Sequence, residues 1–113
     1  AAAPLVWNSL LEATAFGHST YMKESETFSH TGIGGSSTGD RATAEGYNWQ
    51  TVGENIAAGY PTPEDVMQGW IDSAGHCENV MAGAFTEIGV SKVEGDADST
   101  YADYWTMVLA APL

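Results

Sequence analysis

With 113 residues the chain is sized for one domain, and a chain of that length buries roughly two thirds of its unfolded surface, enough for a core without staples. Fifteen acidic residues against three basic ones, Lys23, Arg41 and Lys92, give a net charge of -12; that balance excludes an electrostatic grip on nucleic acid or anionic lipid and leaves solubility as the plain reading of the acidity. No apolar run approaches the roughly 18 residues of a membrane helix, and a single cysteine, Cys77, excludes a disulfide within the chain.

In chain order, "NSLLEATAFGHSTYMKESETF" opens with a capping box from Ser9 to Glu12 and carries Leu11, Ala15, His18 and Met22 at helical spacing. It predicts an amphipathic helix that ends before His30, with His18 a core histidine on its apolar stripe. The glycines of "HTGIGGSSTGD" mark a loop before a short helix around Arg41 to Glu45. "NWQTVGENIA" reads as a strand with Val52, Glu54 and Ile56 on one side. In "TPEDVMQGWIDSAG", Thr62 is the N-cap, Pro63 the first helical residue and Gly75 the stop of a second long helix. "FTEIGVSKVEG" and "TYADYWTMVLA" are strands joined as a hairpin, the latter placing Tyr101, Asp103, Trp105, Met107 and Leu109 on one face. Trp49, Trp70 and Trp105 are core residues. The "EGDADS" link begins like a calcium loop but lacks the glycine at position six and the glutamate at twelve, so it is a solvated turn.

Glu54 poses the chemical question, because a carboxylate sharing a strand face with Val52 and Ile56 has to be paired, ligated or protonated. A salt bridge to Arg41, Lys23 or Lys92 is the simplest answer. The alternative is a site in which His30 of "FSHTG" and His76 of "SAGHCEN" join Glu54 as a His2Glu set for zinc with an open fourth position. Their spacing carries no signature of the HExxH kind, so the residues alone favour the salt bridge. A Ser-His-Glu hydrolase assembled from Ser29 or Ser73 lacks a nucleophile elbow.

The segments "FSHTG", "GYNWQTVGENIAAG", "GWIDSAGHCENVM", "FTEIGV" and "YWTMVLA", in this order, resemble the bacterial SCP-like branch of the CAP superfamily (cysteine-rich secretory protein, antigen 5, pathogenesis-related 1) from about Leu5 to Leu109. The resemblance implies an α+β fold, an α-β-α sandwich with a small, mainly antiparallel three-stranded sheet between helical layers, as one domain over residues 1–113. It also implies a cleft in which two His and two Glu bind zinc or another divalent ion. His30, His76 and Glu54 match three of the four. Ser73 stands at the fourth place, and Asp72 beside it is a weak substitute. Asn55 and Asn79 match amides that tie loop backbone together.

The function so implied is that of a secreted or cell-surface binding module holding a divalent metal ion. A metal-assisted hydrolase with Glu54 as base, and a lipid or sterol carrier, are the alternatives; whether the protein is an enzyme stays open. The ligand is a small molecule, a lipid or a protein. Relatives begin with a further helix bearing an N-x-x-R motif, and those with cysteine after the motif histidine carry a partner cysteine there. The expectation is therefore a longer exported chain whose upstream segment packs on this domain and forms a disulfide to Cys77, the alternative being a buried free thiol.

Overall fold

A computed structural model describes residues 5–72 and 84–113. Strand β1 (Val6–Trp7) leads into helix α1 (Ser9–Ser25), followed by a short 3-10 turn (Ile33–Gly35), helix α2 (Thr38–Ala44), strand β2 (Trp49–Ala58), helix α3 (Pro63–Asp72) and the hairpin strands β3 (Glu87–Glu94) and β4 (Asp103–Pro112). The sheet order is β1-β3-β4-β2, with β1 parallel to β3 and the other two pairings antiparallel. The fold is the expected α+β sandwich, but the sheet has four strands rather than three. The extra strand is two residues long, too short to show any periodicity in sequence.

Asn8 caps α1, its side-chain oxygen accepting from the N–H groups of Leu10 and Leu11 at 2.8 and 3.1 Å. Ser9, read from sequence as the cap, is the first helical residue. The helix ends at Glu26, whose left-handed backbone (φ 56°) returns its N–H to the Met22 carbonyl. The buried stripe of α1 runs Leu11, Thr14, Ala15, His18, Ser19 and Met22, and its hydroxyls are satisfied locally or across the interface: Thr14 donates to the Leu10 carbonyl, and Ser19 and Thr106 share a hydrogen bond of 2.7 Å. At Gly89 of β3 the backbone of Leu11 and Glu12 lies so close that a Cβ would overlap it. This glycine sets how tightly α1 seats on the sheet.

β4 is buried on both faces, which explains its near-continuous apolar run. Leu11, Ala15, Ala42, Tyr47, Val108 and Ala110 form the core under α1 and α2. On the opposite face Val66 and Trp70 of α3 pack with Trp105, Met107, Leu109 and Phe85. Trp70 and Trp105 are buried as expected, while Trp49 is only partly so. Thr62 caps α3 through the Asp65 N–H at 3.1 Å; the predicted stop at Gly75 lies outside the described residues. Tyr101, placed by sequence on the β4 face, sits in the bend just before that strand.

Candidate functional site

Glu54 faces the α1 side of the sheet between Val52 and Ile56, on the face the alternation predicted. Its side chain is 2% exposed. Three elements supply its described partners. A reciprocal capping box, in which Ser37 accepts from the Asp40 N–H at 3.1 Å and Asp40 accepts from the Ser37 N–H at 3.0 Å, starts α2 and sets Arg41 one residue later. Arg41 Nη2 donates to Glu54 Oε2 at 2.7 Å and to the His30 carbonyl at 3.1 Å, and Nη1 donates to the Ser36 carbonyl at 2.7 Å. His30, in the loop, puts Nδ1 2.8 Å from Glu54 Oε1. His18 of α1, fully buried, brings Nε2 to 3.8 Å from the same oxygen and donates to the Ser29 carbonyl at 2.7 Å.

Sequence and packing meet at Gly32. A Cβ there would stand 2.5 Å from Arg41 Nη1 and 3.1 Å from His18 Nδ1, so only glycine lets the loop fold down over both side chains. His18 and Arg41 thereby hold two consecutive carbonyls, those of Ser29 and His30. The histidine ring is set in place before any ligand arrives.

Burial alone pushes the Glu54 carboxyl up, but the His30 hydrogen bond, the adjacent His18 imidazole and the Arg41 charge outweigh it and hold the group below its ordinary value. The hydrogen bond to Glu54 raises His30 against an opposing effect of burial. Burial lowers His18, so its imidazole is neutral at pH 7 with the proton on Nε2. The result is an ionised carboxylate between a guanidinium and a histidine that favours protonation.

The structure thus brings His30 and Glu54 together, and answers what holds the buried carboxylate: Arg41, of the three cations considered. Lys23 instead pairs with Asp96 at 3.1 Å and Lys92 with Glu94 at 2.9 Å. His76, Cys77, Ser73 and Asn79 lie outside the described residues. Asp72 accepts from Gln68 at 2.9 Å on the exposed side of α3. Asn55 is fully buried, its amide reaching the Met107 sulfur at 3.7 Å. The Ser29 hydroxyl accepts from the Thr31 N–H at 3.1 Å, and among the described residues no histidine is hydrogen-bonded to it. Among the described residues, no three His, Cys, Asp or Glu side chains are disposed to hold a metal ion. His18 was read correctly as core, but its place beside Glu54 was missed. Its position on the buried stripe gave no hint of the Ser29 carbonyl that orients it.

The profile of the CAP family, the cysteine-rich secretory protein family, matches residues 1–109. Two Bacillus subtilis (strain 168) proteins are similar. The uncharacterized protein YkwD is 38% identical over 91 residues, which are 80% of this chain and 35% of that protein. The uncharacterized membrane protein YlbC is 36% identical over 88 residues, 78% of this chain and 25% of that one. The chain therefore spans well under two thirds of either relative. An extracellular protein containing an SCP domain from Bacillus anthracis str. Ames superposes with a TM-score of 0.82 at 32% identity, covering 96% of this chain and 34% of its own. An outer surface protein of Borrelia burgdorferi shares the fold, with a TM-score of 0.87 at 20% identity over 99% of this chain and 80% of its own.

Proposed function

Because this chain belongs to the CAP, or cysteine-rich secretory protein, family, we propose that it is a binding module working outside the cytoplasm, whose cleft takes up a divalent cation, zinc first, at His30 and His76. Two structural neighbours described as extracellular or outer-surface proteins support the location, and no helix among the described residues is long and apolar enough to cross a membrane.

The observation that carries the metal reading is the His30–Glu54 hydrogen bond. It occupies Nδ1, so in a ring whose side chain is 57% exposed the opposite nitrogen, Nε2, is the one presented to a ligand. A carboxylate behind an imidazole is the usual outer support of a metal-binding histidine. Glu54 suits that role better than direct ligation, because Arg41 already holds Oε2 and its charge opposes a cation at that oxygen. The same engagement argues against Glu54 as a general base, since a carboxylate held below its ordinary value is a poor proton acceptor. When bound, zinc would supply a fixed positive charge and an open coordination position to a ligand.

Calorimetric titration of metal-free protein with zinc at pH 7.5 tests this. The expected outcome is one site, abolished by His30→Ala or His76→Ala and weakened about 10- to 100-fold by Glu54→Gln. Zinc binding unchanged by His30→Ala would sink the reading.

A second reading, a carrier of apolar ligands, is favoured by a cavity of about 340 Å³ between α3 and the sheet, lined by Trp7, Val66, Met67, Trp70, Val90 and Trp105. Displacement of a fluorescent fatty acid from the domain, lost in Met67→Arg, would support it, and absence of any saturable fatty-acid binding would dismiss it.

A further inference from the structure

A second cavity, of about 280 Å³, opens between the end of β2 and α3, with Phe28, Tyr60, Trp70 and Tyr101 among its lining. We infer that this pocket is a site for a small alkylated ammonium cation such as a choline-type head.

Two of the four rings are kept open to solvent at a hydrophobic cost: Phe28 is 47% and Tyr101 40% exposed. Their centroids lie 5.9 Å apart with planes at 52°, and Tyr104 braces Tyr101 edge-on at 5.8 Å and 86°. The pair forms an open wedge held from behind. Aromatic faces are electron-rich, so such a wedge attracts a cation placed over it.

The charge around the wedge points the same way. Asp103 is 3% exposed, and its Oδ1 accepts from the N–H groups of Gly59 and Tyr60 at 2.8 and 2.9 Å and from Trp105 Nε1 at 3.1 Å. All three donors are neutral, so among the described residues no cation is hydrogen-bonded to this buried carboxylate, which is tied to the backbone of the lining residue Tyr60. Arg41 is paired with Glu54 and Lys23 with Asp96, and Lys92, which lies over the Trp105 ring, is held there by Glu94 at 2.9 Å and the Pro61 carbonyl at 3.1 Å. With a net charge of -12, an anionic occupant is repelled and a cationic one is drawn in.

The apolar lining selects among cations. Ile56, Ala57, Ala58 and Gly69 complete the wall; the polar side-chain groups of its lining residues are the hydroxyls of Tyr60 and Tyr101 and the Trp70 indole N–H, which donates to the Ile56 carbonyl. A metal ion or a primary ammonium would give up strong hydration for few acceptors here, whereas a methylated ammonium gives up little and fills the space with carbon. The site uses none of the proposed zinc ligands and stands or falls independently of them.

Chemical-shift titration of the metal-free domain with choline, and with its neutral isostere 3,3-dimethylbutan-1-ol, tests the proposal. Choline should saturate resonances of Phe28, Tyr60 and Tyr101, with the neutral alcohol roughly tenfold weaker or more. Phe28→Leu and Tyr101→Leu keep apolar bulk but lose the rings, and each should weaken choline by about tenfold while circular dichroism shows an intact fold. Phosphatidylcholine vesicles identify the source: no sedimentation assigns the site to free cations, and sedimentation reversed by choline assigns it to a lipid head group. Equal binding of choline and the alcohol, preferential binding of a neutral sugar such as glucose, or no saturable choline shift in the millimolar range would each overturn the proposal.

Discussion

Replacing Arg41 by methionine removes the cation from a pair in which Arg41 is 9% and the Glu54 side chain 2% exposed. Taking one partner from a buried ion pair costs about 3 to 5 kcal/mol, because the other charge stays desolvated. Here the cost falls near the lower end, about 3 kcal/mol, since His30 still donates to Glu54 Oε1 and sits partly in water. The Ser36 and His30 carbonyls also lose their donor, which keeps the cost from falling further. With a urea m-value of about 1.5 kcal/mol/M, the midpoint of unfolding should drop by roughly 2 M in chelator-containing buffer. The pairing argument makes a second demand. In Arg41→Met/Glu54→Leu neither charge remains, so the double variant should be less damaged than Arg41→Met alone, with a coupling energy of about 2 kcal/mol or more. A loss under about 1 kcal/mol in the single variant, or strict additivity in the double, would refute the claim that Arg41 is what lets a carboxylate live on this strand face.

His30 is raised above its ordinary value of 6.5 in the folded protein, so its contribution to stability is complete below that pH and fades as pH rises through the folded value; the stability difference between wild type and His30→Gln, measured by urea titration without metal, should shrink above pH 6.5. Growth of that difference with pH would contradict the assigned hydrogen bond. Zinc affinity should run the other way, weakening as pH falls from 8 because a proton on His30 competes with the metal, and calorimetry showing a flat profile would exclude this imidazole as a ligand. At Gly89 an added methyl meets the α1 backbone rather than a movable side chain, so Gly89→Ala should cost about 3 kcal/mol by denaturation, and a loss below about 1 kcal/mol would mean the helix shifts freely on the sheet. Fluorescence anisotropy with labelled duplex DNA should show no binding even at low salt, as the charge of -12 requires.

What the sequence made legible follows from how local each signal is. The buried stripe of α1 and the Val52, Glu54, Ile56 face came straight from periods of 3.6 and 2, because a continuous element carries its own geometry. The fourth strand did not, since Val6 and Trp7 make only a two-residue pairing with β3 and two residues have no period. The cap of α1 is Asn8 rather than the Ser9–Glu12 box, because Asn8 and Ser9 are both able caps and only the bonds to Leu10 and Leu11 distinguish them. At the site, the motif residues His30 and Glu54 were named from the chain, while their supports were left open or misplaced. Choosing Arg41 over two lysines required knowing that Asp96 and Glu94 claim those lysines. His18 was filed as core because it is core; burial and function coincide there.

That coincidence bears on how the site works. A histidine with no exposed surface orients an exposed one through the Ser29 carbonyl, and Arg41 does the same through the next carbonyl along. The loop between α1 and α2 is thus fastened at its backbone as well as through the His30 side chain it displays. Its ring-bearing residue can meet a ligand without paying to order the loop. Gly32 helps allow both fastenings at once, since a Cβ there would overlap the guanidinium at 2.5 Å and crowd the imidazole at 3.1 Å. The preorganisation of His30 is therefore written less in the histidine and glutamate of the motifs than in a glycine, an arginine and a core histidine that stand outside the set of candidate ligands.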